Sequence, residues 1–188
     1  MTLKVLEGIR KFQEHLLELG LARAVLALSA PRMLALPSPT AEGAEPANIF
    51  ARVIVEPEIE SVCRDLFVSG HYSLAVQEGY KAVDKFVGDK TGSGNISGTQ
   101  LMDLVFSPNS PILRWTEIKT QSEADEQKGY HRLYSGAMLG IRNPVTHEFN
   151  WVDEPNLALE LIVFAQHLLR KAKKAKLDSA AQGKARSA

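Results

Sequence analysis

Apolar residues return at the 3.6-residue spacing of an α-helix in one stretch of this chain after another, and they almost nowhere alternate as a strand requires. Ile59, Val62, Cys63, Leu66 and Phe67 make one apolar face, with Pro57 in the first turn, acids nearby and Ser69-Gly70 as the stop. Over about residues 71–87, Ala75, Val76, Val83 and Val87 face inward, with Gln77, Lys81 and Asp84 outward. A Gly-rich turn region follows, then a short helix over 99–106. The next helix opens at the capping-box-like Ser122-Glu-Ala-Asp125 and runs to about Arg142. The last starts near Pro155 and runs through Leu157, Leu161, Phe164, Leu168 and Leu169 into a basic end. Only Ile49–Val55 alternates like a strand, and it is short and isolated. The expected body is therefore an all-α bundle of four to five helices.

At 188 residues the chain can bury one substantial core and carry extensions. Residues 2–19 read as an N-terminal helical extension, and the proline-rich segment from Ser29 to Asn48 reads as a linker. That places the compact domain over 49–176 and a disordered basic tail over 177–188. The single cysteine, Cys63, rules out an internal disulfide framework and a cysteine-rich zinc module, and it should be an inert buried thiol. The most apolar early stretch is interrupted by Arg23, Pro31 and Arg32 and lacks a signal-peptide layout, so no membrane span and a cytoplasmic location are expected. Net charge is zero, yet residues 56–168 sum to −7 and residues 169–188 to +6. An acidic body with a basic end is not the broad basic surface of a sequence-reading DNA-binding domain, and no short basic recognition helix follows a tight turn.

The stretch Gly140-Ile-Arg-Asn-Pro-Val-Thr-His-Glu148 concentrates the side chains able to do chemistry. Arg142 is a permanent cation whose planar fork suits a phosphate. His147 can take or give a proton near neutrality. Asn143 is one turn before His147 in continuous helix and could orient the imidazole; alternatively it caps a new turn begun at Pro144. His131 and Ser135 share a helix flank with Arg142, and Glu148 adjoins His147, making these three candidates for substrate contact. Gly129, Gly136 and Gly140 share another flank, where three costly glycines point to close approach by another backbone. On spacing alone, an arginine and a histidine five residues apart also fit a solvated helix end.

In its context, Arg-Asn-x-x-x-His at the end of a long helix resembles the Rx4–6H signature of the HEPN superfamily. Leu66-Phe-Val-Ser-Gly-His-Tyr72, Leu101-Met-Asp-Leu-Val-Phe-Ser107, Glu126-Gln-Lys-Gly129 and Gly140-Ile-Arg-Asn-Pro144 resemble its Ymh-type branch, often found among phage-related and defence genes. The resemblance covers about residues 56–172 and implies a HEPN-like helical domain. It also implies a metal-independent endoribonuclease in phage defence or a toxin-like stress response, with no cofactor. Arg142, Asn143 and His147 match the family's catalytic positions. The implied reaction is attack of a ribose 2′-hydroxyl on the adjacent phosphate, leaving a 2′,3′-cyclic phosphate. HEPN nucleases place two motifs face to face, so a homodimer with a composite site is implied, with RNA as substrate and an antitoxin or defence-system protein as a further partner. Some HEPN toxins carry a tyrosine two positions after the histidine as a target for nucleotide addition; here Phe149 stands there. The superfamily also contains non-catalytic interaction modules, which bind RNA, a nucleotide or a protein.

The remaining candidates have plainer readings. His71 follows Ser69-Gly70 and should bond locally to that turn. His15 and His167 have no acidic or cysteine partner at ligand spacing, so no metal site is assigned. Trp115 and Trp151 fit a core or an interface, and the basic run from Arg170 to Lys176 fits a frayed, solvated helix end.

Overall fold

The computed structural model describes residues 46–148 and 150–178. The expected N-terminal helix, the linker as far as residue 45, His15, Phe149 and the tail beyond Asp178 lie outside the described residues; residues 46–48, expected in the linker, open a helix instead. The elements are α1 (Pro46–Val53), α2 (Pro57–Val68), α3 (Tyr72–Thr91), α4 (Gly98–Val105), β1 (Leu113–Arg114), α5 (Gln121–Ala137), a widened turn (Met138–Arg142), α6 (Asn143–His147), α7 (Pro155–Lys174) and β2 (Lys176–Leu177). The all-α expectation holds. The strands are a two-residue antiparallel pair, Leu113 opposite Leu177 and Arg114 opposite Lys176, that ties the chain after α7 back to the loop before α5.

The core is built largely from the faces that the periodicity marks, although Val62 and Leu157, expected on those faces, are exposed. Ile59, Cys63 and Phe67 of α2, Val76, Val83 and Val87 of α3, and Ile162, Ala165 and Leu169 of α7 are all buried together. Close approach occurs at Gly79, where a Cβ would sit 3.2 Å from the Cys63 Sγ and 3.8 Å from the Ala165 Cβ. Two buried tyrosines carry their hydroxyls to backbone carbonyls of α7, Tyr80 to Leu161 and Tyr134 to Leu168. Burial pushes both phenols well above their usual range. Phe106, Trp115 and Tyr134 stack, with Lys171 over the Trp115 and Tyr130 rings, and the Trp115 indole N–H donates to the Lys171 carbonyl. Trp115 is thus a packing residue.

Several local expectations are corrected. Ile49–Val55 is not a strand: α1 covers Pro46–Val53, because Phe50 and Ile54, four apart, turn to the core on one helical face. The α5 capping box is Thr120 with Glu123, not Ser122 with Asp125; the Glu123 amide donates to Thr120 Oγ1 and the Thr120 amide to Glu123 Oε2. Leu133 lies outside the core at 45 % exposure. Among the described residues, Gly129, Gly136 and Gly140 meet no backbone, since nothing there lies within 4 Å of a Cβ built on any of them. The basic end of α7 is not frayed. Arg170 and Lys173 pair with Glu56, Lys173 also with Glu58, and Lys171 with Glu126. Among the described residues, no helix is long and apolar enough to cross a membrane.

Candidate functional site

Helix α5 does not stop at Pro144; it widens upstream of it. Proline has no amide hydrogen and its ring collides with the carbonyl four residues back. Over Met138–Arg142 the chain shifts to i→i−5 bonding, with the Asn143 amide donating to the Met138 carbonyl, and it stays helical through Arg142 and Asn143. Such one-turn widenings recur at functional positions. Asn143 therefore caps no new turn, and its Oδ1 accepts from an Arg142 guanidinium nitrogen at 3.3 Å instead of orienting His147.

Arg142 and His147 are five residues apart, about 140° around an ideal helix, so they leave it in different directions. The Arg142 guanidinium reaches the start of α4, 3.9 Å from where a Gly98 Cβ would be. Its neighbour there is Asp84, which is half-buried, not outward-facing as its helix position suggests, and accepts the Gly98 amide at 2.7 Å. Desolvation raises the Asp84 pKa, opposed by that hydrogen bond and by the Arg142 charge. The Nε of Arg142 and the Oγ1 of Thr99 in the same region are buried with no hydrogen-bond partner among the described residues.

His147 faces elsewhere. It is exposed, has no hydrogen-bond partner among the described residues, and lines a cleft of about 430 Å³. One wall is the α2–α3 junction and the first turns of α3, from Gly70 to Gln77; the other is α6 and the loop to Asp153. The junction is tight because Gly70 adopts φ +79°, which lets its amide donate to Phe67 and the His71 amide to Leu66. Two ties hold the walls together. Ser73 Oγ donates to the Val152 carbonyl (3.1 Å) and accepts its amide (2.8 Å), while Gln77 Nε2 donates to Thr146 Oγ1 (3.2 Å). The first-turn amides of α3 have no intrahelical acceptors, so this wall presents the positive end of a 20-residue helix.

Of the sequence-derived candidates, the cleft takes His147 and Glu148. Arg142 and Asn143 do not line it. His131 is bonded to Asp103 of α4 at 2.9 Å, and Ser135 is half-buried on the same flank; neither lines the cleft. His167 is bonded to the Tyr130 hydroxyl at 3.0 Å. The residues sequence reasoning missed are Ser73, Gln77, Thr146 and His71. The turn signal Ser69-Gly70 marked their neighbourhood, but only the return of α6 against α3 reveals their role. Trp151 is 56 % exposed, between the cleft-lining Asn150 and Val152.

No curated protein and no solved structure matches the chain. A family model described as a protein of unknown function, Hypoth_ymh, matches residues 54–172, from the end of α1 almost to the end of α7. That span contains both walls of the cleft, α4 and the Arg142–His147 segment, and the chain belongs to the Hypoth_ymh family.

Proposed function

We propose that the protein is a metal-independent endoribonuclease of the HEPN type, acting in phage defence or a toxin-like stress response. The observation that carries this reading is His147, an imidazole with no hydrogen bond among the described residues, at the end of the motif helix and lining a cleft whose other wall is the positive end of α3. A phosphate seated there has amide donors beside it and a proton acceptor or donor within the same cleft. Arg142 supplies a fixed cation for charge on the phosphoryl oxygens. Because it leaves the helix on another side from His147, the two act together across a homodimer.

RNA carries its own nucleophile in the 2′-hydroxyl, so RNA is cut to 2′,3′-cyclic phosphate ends and DNA is not. Both Arg142→Ala and His147→Ala are expected to abolish cleavage and to keep the parent's helical circular-dichroism spectrum; His147→Ala also keeps its melting temperature, whereas Arg142→Ala lowers it because the half-buried Asp84 loses its neighbouring positive charge. A His147→Ala variant as fast as the parent removes the assignment. A second reading, a non-catalytic interaction module, is favoured by the charges around the cleft: its carboxylates, Glu148 and Asp153, repel a long polyanion. RNA or nucleotide binding without cleavage, unchanged in His147→Ala, decides for it.

A further inference from the structure

The cleft that His147 lines is lined by a second imidazole. His71 enters from the α2–α3 junction, where its amide donates to the Leu66 carbonyl and its own carbonyl accepts from Ala75. The backbone thus does the local bonding expected of the side chain, and the ring makes no hydrogen bond among the described residues. His147 is equally unbonded. The Ser73–Val152 and Gln77–Thr146 ties hold both rings on one frame within one chain. The other ionisable side chains lining the cleft are Tyr72 on the α3 wall and Glu148 and Asp153 on the other. His131 and His167, by contrast, are each committed to a partner. A volume of about 430 Å³ matches a nucleotide-sized ligand.

We infer that His71 and His147 of the same chain act as a pair on one RNA phosphodiester, His71 being the second proton-transfer group. This rests on the ribonuclease reading. One imidazole enters neutral and takes the 2′-hydroxyl proton as the O2′–P bond forms. The other enters protonated and gives its proton to the 5′-oxygen as the P–O5′ bond breaks. One proton is taken and one given, with no change of oxidation state, and the pair leaves with its protonation reversed. Each chain then carries its own acid and base, and the partner is needed for the arginine alone.

Two arms test this on the full-length chain. In the first, uridine 3′-monophosphate is titrated while the imidazole proton resonances are followed by NMR, assigned with His71→Gln and His147→Gln. The His71 and His147 signals are expected to move along one binding curve while those of His131 and His167 stay. Movement of His147 alone, or of neither, overturns the pairing whether or not RNA is cut. In the second arm, each variant is expected to lose about 10²–10⁴-fold in cleavage rate, and His71→Gln also to lose one limb of a bell-shaped pH profile. An equimolar mixture of the two variants stays inactive, because no chain regains both rings; recovery on mixing overturns the same-chain assignment. An inactive His147→Gln beside a fully active His71→Gln removes His71 and leaves the ribonuclease standing. A parent that binds the nucleotide at both rings yet cuts no RNA removes the ribonuclease and the proton-transfer role with it.

Discussion

Ser73→Ala removes a single hydroxyl and cuts one of the two ties between the walls of the cleft, the one that holds Val152. That hydroxyl donates to the Val152 carbonyl at 3.1 Å and accepts the Val152 amide at 2.8 Å, and Val152 is 2 % exposed. The substitution leaves one buried amide and one buried carbonyl without partners. At about 1 kcal/mol for each lost bond at a site water can partly reach, the expected destabilisation is about 2 kcal/mol. For a chain of this size that corresponds to a fall of about 4–8 °C in melting temperature. The local effect exceeds the global one, since the loop carrying Val152 and Asp153 is no longer fastened to α3. Hydrogen exchange at the Val152 amide is expected to lose its protection at temperatures where the α7 core amides keep theirs, and RNA cleavage to fall with it. An unchanged melting temperature together with a still-protected Val152 amide would refute the reasoning, because it would mean that the tie does not hold the wall.

Other consequences follow from the same bonds and spaces. Gln166, 4 % exposed, accepts the Val55 and Glu56 amides and donates to the Val53 carbonyl, so Gln166→Leu should cost about 3 kcal/mol, read as a lower urea midpoint at unchanged m-value. Gly129→Ala places a methyl in open space on α5 and should stabilise by up to about 1 kcal/mol, measured as a higher melting temperature; a lower one contradicts the open flank. Hydrogen bonds from Lys173 and Arg170 hold the Glu56 carboxyl below its usual range. Its contribution is therefore present above the ordinary carboxylate pKa and is lost as pH falls through the lowered value, so Glu56→Gln should flatten the acid limb of a stability–pH curve.

The four longer helices were legible because each carries an apolar face broad enough to seed a core and a terminal signal of its own, such as Pro57, Gly70 or Pro155. Misreadings arose where a short segment fits two periods or where a tertiary neighbour decides. Ile49–Val55 alternates on paper, yet Phe50 and Ile54 also share a helical face, and burial against the core selected the helix. Sequence does not single out Gly79, the glycine that permits close packing, over Gly129, Gly136 and Gly140, which face open space among the described residues, because the need for a missing Cβ depends on a neighbour that sequence does not name. The motif residues were readable as chemistry, but not their directions. The widened turn before Pro144 and the angle between Arg142 and His147 send His147 to the cleft and Arg142 towards the start of α4. His71 reads in sequence as a turn residue, because its place beside His147 on one cleft emerges only when α6 returns against α3.

The most direct test of the central claim is to incubate the purified protein in EDTA with a labelled single-stranded RNA and its DNA counterpart, with His147→Ala alongside. Cleavage of the RNA alone, ending in 2′,3′-cyclic phosphate and lost in the variant, is the expected result. Equal cleavage by His147→Ala, cleavage of the DNA, or intact RNA in the presence of folded protein contradicts it.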